Sequence, residues 1–564
     1  MKDLIHFETV AANTRSSHLN PGMTGWAEEL LQRFSASTAW VSLFFTILYI
    51  PAILPSATAK LLWDDEFFTL YLSTTSGWGD LINALRTGAD QHPPSFYYLT
   101  GALLRLFGVS HFTVRLPALA GFALMCLCLY WIVRRLCGPI WGVLAMLLPL
   151  LPPVAYYASE ARGYGLVLGF ATLALLCWLR AAADERRKVF IPLLACSVAA
   201  AVASHYYAIL ILVPLGAGEL TRTWIKRKVD IPIWLALSAG LLPILLFSQT
   251  ILSAHGYSAH FWARPGWRSV PRFFSYLAFV INLILVAVAA TILRRRRSAD
   301  NVYVAKPIPL WQSVTFIMLV ALPVVAMIVA KLITHAYTER YALSAMLGGV
   351  ILITWALCQV AQGRPVVAAA LASICAINCA ANSVYAVHDH HALRTHLTDI
   401  CRALNRTGTG PIAVSDLTTF YQLSFYAPRP LAKRISYVAD PKMSVHYLFH
   451  DTADRGLLDL RPWFPLRVVP LEEYVKENSS FVELGNFGSW DWLTSVAPQI
   501  SKNVRLLERL DNRPLFFVEN ASVPAGMAAE VVRSTRPDLE QKYRSSPTPL
   551  CVLYFSSGTC PLLQ

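Results

Sequence analysis

From Trp40 to Val387 the chain alternates long apolar runs with short polar breaks. A helix needs about 20 apolar residues to cross a bilayer. Runs of that kind read as spans at Trp40–Leu54, Thr113–Val133, Trp141–Tyr157, Tyr164–Leu179, Phe190–Ser204, Tyr207–Leu220, Ile231–Leu252, Phe273–Leu293, Trp311–Ile333, Tyr341–Val360 and Val366–Val387, about eleven in all. Phe190–Ser204 and Tyr207–Leu220 are short and adjacent, so a tight hairpin broken at His205 is expected. Beyond His388 the pattern changes. Charged and turn residues return, with strand-like runs at Pro411–Val414, Arg434–Val438, Phe481–Leu484 and Leu515–Val518 and a helical pattern at Trp490–Ile500. The pattern predicts a mainly α fold, a polytopic transmembrane helical bundle followed by a soluble C-terminal α/β domain. The expected division is an N-terminal segment at 1–35, a membrane domain at 36–387 with a long first loop at 55–112, and the α/β domain at 388–564.

Composition agrees with this class. Apolar residues make up 55% of the 564 and charged residues 15%, against about 25% in ordinary soluble domains. A net charge of +14 would in a soluble chain point to nucleic acid. Here the cations fall in clusters between apolar runs: Arg134-Arg135, Arg180 with Arg186-Arg187-Lys188, Arg222 with Lys226-Arg227-Lys228, Arg294 to Arg297, and Arg364. Each follows an even-numbered span. The positive-inside rule then puts the N-terminus inside and the C-terminal domain outside, and leaves no call for a nucleic-acid partner. Arg294 to Arg297 reads as an anchor to anionic lipid. No small-residue cleavage site follows the first apolar run, so Met1 to Ser35 is not read as a cleavable signal peptide. Most cysteines lie in apolar runs, where they act as small hydrophobes. Cys551 and Cys560 lie in the tail, where a disulfide outside the cytoplasm could form.

This topology collects the isolated charges on one face. The first outer loop, Pro55–Phe112, holds Asp64-Asp65-Glu66 between apolar and aromatic residues. Crowded acids in apolar surroundings raise one another's pKa and can serve as a general base. The same acids also suit a helix N-terminus. His92-Pro93-Pro94 precedes an amphipathic stretch, Phe96–Phe107, too short to span and suited to the membrane surface. His92 could contact a phosphate or an acceptor, or cap that helix. Glu160 and Arg162 are the only charges between two spans, next to Tyr164. Ionisable groups at a membrane boundary are functional candidates, or an internal ion pair. His205-Tyr206 breaks the next hairpin on the same side, and His335, Glu339, Arg340 and Tyr341 stand at the outer end of a later span. These separate segments could converge on one outward-facing site. The His388-Asp389-His390-His391 run with His396 has no defined ligand spacing and reads as a solvated linker at the start of the tail.

Four features in order, the Asp-Glu pair, His-Pro-Pro-x-x-Tyr-Tyr, Ser-Glu-Ala-Arg-x-Tyr and a late Arg-Tyr, resemble bacterial relatives of the protein O-mannosyltransferases and the aminoarabinose transferase. These are GT-C-fold glycosyltransferases that use polyprenyl-phosphate sugars, and the resemblance covers about Trp40 to Val387. It implies a cytoplasmic-membrane enzyme of bacteria. The donor would be a polyprenyl-phosphate-linked sugar, and the acceptor a glycan, lipid or protein at the outer face. It implies Asp65 as the acid/base, with Glu66 or Glu160 orienting the acceptor or a metal. Arg162, Arg340 and His92 would meet the lipid phosphate, with Asp64, Tyr164, His205, Tyr206 and Tyr341 around the substrate. Paired acids can hold a divalent ion, but no complete ligand set is visible, so metal use stays open. A transporter or flippase of a lipid-linked sugar is the rival. Transporters place polar groups near the midplane of repeated halves, and no such repeat shows here. A receptor whose spans only anchor it would not need eleven.

Overall fold

The computed structural model describes residues 23–275, 307–486 and 491–523. Among the described residues six helices are long and apolar enough to cross a membrane: Thr38–Thr58, His111–Cys137, Tyr164–Ala182, Arg187–Ser204, Tyr206–Lys226 and Pro365–Arg406. Two further apolar stretches are bent. Ile231–Leu246 meets Ser248–His255 at 61°, and Leu310–Val320 meets Leu322–Thr334 at 56°. Pro323 stands in the first turn after the second bend, where it cannot donate to the preceding turn. Pro139–Leu150 and Ala345–Val360 are shorter apolar helices. Among the described residues the spans of full length number six, or eight if each bent pair is one, and the expected runs Trp141–Tyr157 and Tyr341–Val360 correspond to the two shorter apolar helices. The expected span Phe273–Leu293 lies largely outside the described residues, as do Arg294 to Arg297, Cys551 and Cys560.

The His111–Cys137 and Tyr164–Ala182 helices meet backbone to backbone. A Cβ on Gly121 would stand 2.4 Å from the Gly165 carbonyl oxygen, and one on Gly169 would stand 2.3 Å from that of Gly121. Small residues permit such approach where helix association depends on close packing. At one end of the bundle acids tie the basic clusters together. Arg135 reaches Glu185 at 3.0 Å and Arg180 reaches it at 2.7 Å. Arg187 and Arg222 converge on Asp230 at 2.6 and 2.5 Å. The candidate site occupies the opposite end of the same helices.

The first loop is helical, with helices at Asp64–Ser73, Trp78–Leu85 and Pro94–Phe107. The expected boundary at His388 falls inside the Pro365–Arg406 helix. His388 to His396 is thus helical rather than a linker. Leu397, Ile400 and Leu404 carry the helix onward by burying one face.

The described residues of the tail form a six-stranded sheet. Its strands are β1 (Ile412–Val414), β2 (Ile435–Ala439), β3 (Val468–Pro470), β4 (Phe481–Leu484), β5 (Asn503–Leu510) and β6 (Arg513–Glu519), in the order β3-β2-β1-β4-β6-β5. β1 to β4 run parallel, β6 pairs antiparallel to β4, and β5 antiparallel to β6. The expected Trp490–Ile500 helix runs Leu493–Ile500. One apolar cluster joins Leu61 to Leu104 of the first loop with Leu397 to Leu515, so loop and sheet share a core.

Glu483 on β4 is 1% exposed. Thr494 donates to its Oε1 at 2.7 Å, while Oε2 has no partner among the described residues. Burial, then the nearby Asp491, push its carboxyl up to about 8. The bound proton stabilises the folded chain at acid pH, and that stability is lost as pH rises through about 8. Glu483→Gln keeps the acceptor for Thr494 without the titration. Its melting temperature is expected to match the parent near pH ~5 and to exceed it by several degrees near pH ~9, read by tryptophan fluorescence.

Candidate functional site

The three consecutive acids form the first turn of the Asp64–Ser73 helix, where the helix dipole favours negative charge. Successive helical residues point about 100° apart, so each carboxylate finds a different partner. Asp64 accepts from Thr418 of the tail at 2.6 Å, and burial pushes its carboxyl up to about 7. Asp65 Oδ2 accepts from Arg340 Nη1 at 2.6 Å. Glu66 turns inward and takes both arms of Arg115, at 2.8 and 2.6 Å, with the Ala161 amide at 2.8 Å. Burial would raise Glu66, but Arg115 and Lys60 outweigh it and hold the carboxyl low. The Asp65 side chain is 22% exposed, whereas those of Glu66 and Glu160 are 0% and 1%. Of these three, Asp65 has the most exposed carboxylate.

Arg340 is the hub of the first cluster. Besides Asp65 it lies 3.7 Å from Glu160, and its guanidinium sits over the rings of Trp63, Tyr164 and Trp262 at 5.9, 5.5 and 5.8 Å. Neither oxygen of Glu160 has a hydrogen-bond partner among the described residues. Burial pushes this carboxyl up to about 7 against the pull of Arg340 and Lys60. Lys60 lies over the Tyr156 ring at 4.1 Å, its ammonium without a hydrogen bond among the described residues. Burial brings it down to about 8 against the pull of Glu66.

Arg162 is the hub of the second cluster. It grips Asp90 through Nη1 and Nη2 at 2.9 and 3.2 Å and donates to His92 Nδ1 at 2.7 Å and to the Asp65 carbonyl at 3.2 Å. Burial would raise Asp90, but Arg162 holds it far below the carboxylate range. Burial, then Arg162, bring His92 down to about 4, so the ring is neutral near pH ~7. With Arg162 donating to Nδ1, the proton is assigned to Nε2, which has no partner among the described residues. The His92 and His205 rings lie 4.5 Å apart, His205 lies 5.2 Å from both Tyr164 and Tyr341, and Tyr341 stacks on Tyr207 at 4.3 Å. Tyr164, His205, Tyr207 and Tyr341 line a small cleft together with Arg340.

Thus Asp65, Glu160, His92, Arg162, Tyr164, His205, Arg340 and Tyr341 converge. Tyr206 does not, since its hydroxyl pairs with Thr250 at 2.9 Å. Asp64 faces the tail and Glu66 the Arg115 clasp. Five participants escaped the sequence reading: Lys60, Asp90, Arg115, Trp262 and Thr418. Arg115 did leave a signal, as a lone cation inside an apolar span. Among the described residues no three His, Cys, Asp or Glu side chains group so as to hold a metal ion. Glu66, one of the two acids assigned to metal or acceptor, has both oxygens taken by Arg115.

An accessible carboxylate beside two fixed guanidinium groups can take a proton from a hydroxyl while a phosphate departs. Residues 91–252 match the family described as "Dolichyl-phosphate-mannose-protein mannosyltransferase". No curated protein sequence matches the chain. Two crystal structures of ArnT from Cupriavidus metallidurans are similar in fold. The apo form is 14% identical, with 87% of this chain and 100% of that chain covered and a TM-score of 0.51. The form bound to undecaprenyl phosphate is 13% identical, with 86% and 100% covered and a TM-score of 0.52. The resemblance to GT-C-fold transferases read from the four motifs thus holds for the fold of most of the chain, and for the sequence over 91–252.

Proposed function

We propose that the chain transfers a sugar from a polyprenyl-phosphate donor to an acceptor hydroxyl at the outer face of the bacterial cytoplasmic membrane, with Asp65 as general base. The observation that carries this reading is the Asp65–Arg340 pair, in which a partly exposed carboxylate sits against a guanidinium inside an aromatic wall. The acceptor's proton passes to Asp65, its oxygen bonds the anomeric carbon, and the bond from that carbon to the phosphate oxygen breaks. The departing electron pair stays on the lipid phosphate, where Arg340 and Arg162 stabilise it. Cations fixed in advance act on charge as it develops. Undecaprenyl phosphate in the similar ArnT structure supports a lipid donor of this class, and the mannosyltransferase match supports sugar transfer. Neutral His92 and His205 with Tyr164 and Tyr341 would face the sugar. Glu66 would fix the acid helix rather than react. The site gathers at one end of the helices, which favours this reading over a transporter with a midplane site.

The test is transfer by purified protein in phospholipid vesicles. The donors would be a panel of undecaprenyl-phosphate-linked monosaccharides, with cell-envelope glycolipid as acceptor, and undecaprenyl phosphate release the readout. Asp65→Asn is expected to slow release by about 10²-fold or more. Release at the wild-type rate would remove Asp65 from this role, and donor movement across the bilayer without release would favour the flippase.

A further inference from the structure

The helix Leu417–Tyr426 follows β1 directly, and Asp416 caps it by accepting from the Thr419 amide at 2.9 Å. Thr418, Gln422 and Tyr426 recur every fourth residue and share one helix face. All three reach the short segment that leads into the acid helix. Thr418 donates to Asp64 Oδ1 at 2.6 Å, Gln422 donates to the Leu62 carbonyl at 3.1 Å, and the Leu62 amide donates to the Tyr426 hydroxyl at 2.9 Å. His111 holds the same hydroxyl at 2.7 Å. Beside this stripe Tyr421 stacks on Phe67 at 5.0 Å, and both rings are fully buried. The tail therefore grips the residues on both sides of Asp65 in sequence and leaves Asp65 itself open.

We infer that this face of the C-terminal domain is a positioning device for Asp65, with Thr418, Gln422 and Tyr426 as the positioning residues. The inference rests on the transferase reading given above. Asp65 has one turn of helix to aim its carboxylate, and the start of that turn is pinned by residues about 350 positions later in the chain. A misplacement of about 1 Å at a reacting group can cost about 10²-fold in rate. The domain is therefore part of the reaction centre.

The test compares wild type, Thr418→Val, Thr418→Ser and Tyr426→Phe in the vesicle assay, using whichever undecaprenyl-phosphate sugar of the panel the wild type turns over. Amide deuterium exchange over residues 61–66 is followed in parallel. Thr418→Val keeps the shape and loses the donor, and Thr418→Ser keeps the donor. The valine variant and Tyr426→Phe are expected to lower kcat about tenfold, with the donor KM unchanged within about twofold and serine restoring the rate. Exchange over 61–66 should quicken in the valine and phenylalanine variants only. Wild-type kcat in both, an equal loss in valine and serine, or unchanged exchange would overturn the inference. If the wild type releases no undecaprenyl phosphate from any donor, the transferase reading falls, and the exchange result alone decides whether the grip exists.

Discussion

Replacing Arg115 with methionine is expected to lower the stability of the folded chain by about 3–5 kcal/mol, the scale seen when one partner of a buried ion pair is removed. Arg115 and Glu66 are both fully buried, with no solvent to take over the charge left behind. Arg115 also donates to the carbonyls of Ser56, Ala57, Lys60 and Leu61 at 3.0, 3.2, 3.0 and 3.3 Å. Those are the free acceptors where the first span ends, and buried acceptors without donors cost further stability. One side chain thus closes the first span and ties the acid helix to the second. Thermal unfolding in detergent reads the loss. The pair Glu66→Leu with Arg115→Met should recover part of it, by removing the lone charge while leaving the carbonyls bare. A single Arg115→Met variant that melts with the wild type would show that the clasp holds nothing.

This clasp also shows where sequence reading stops. Asp65, Glu160, Arg162 and Arg340 are visible in the chain because each lies in a short polar break beside long apolar runs. Their partners are not visible. Glu66 and Arg115 are 49 residues apart, and Asp65 and Arg340 are 275 apart, and only the tertiary arrangement of the helices decides such pairings. Glu66 therefore looked like Asp65 in sequence, although one is clasped in the core by Arg115 and the other, partly exposed, pairs with Arg340. The same limit applies to the tail. β3 has three residues, too few for an alternation to show, and β5 is a mostly exposed strand rich in charge. Thr418 is an ordinary threonine until the fold sets it 2.6 Å from Asp64. The helical run past Val387 was masked by its histidines, although Leu397, Ile400 and Leu404 carried the helical period.

Replacing Arg340 should have the largest effect on turnover, because three functions meet there. It holds Asp65 at 2.6 Å, lies 3.7 Å from Glu160, and sits inside a cage of Trp63, Tyr164 and Trp262. In the proposed reaction the donor phosphate competes with Asp65 for this guanidinium. Donor binding would thus draw Arg340 away and free the Asp65 oxygen that Arg340 occupies, so the base would be unmasked only when a donor is present. Arg340→Met removes both the stabiliser and the mask, and undecaprenyl phosphate release is expected to fall by about 10²–10³-fold, the scale for losing one preorganised donor. Arg340→Lys keeps the charge but loses the planar fork that can bridge carboxylate and phosphate, and release should still fall by more than about tenfold. Burial already favours the neutral form of Glu160, and the methionine variant removes the main opposing cation. The acid can then stay protonated, so the protein should fold and melt close to the wild type. A methionine variant that melts normally and releases undecaprenyl phosphate within about tenfold of the wild type would place the departing phosphate elsewhere. The Arg162–Asp90–His92 cluster would then be the group to examine, since Arg162 is the other guanidinium within reach of Asp65.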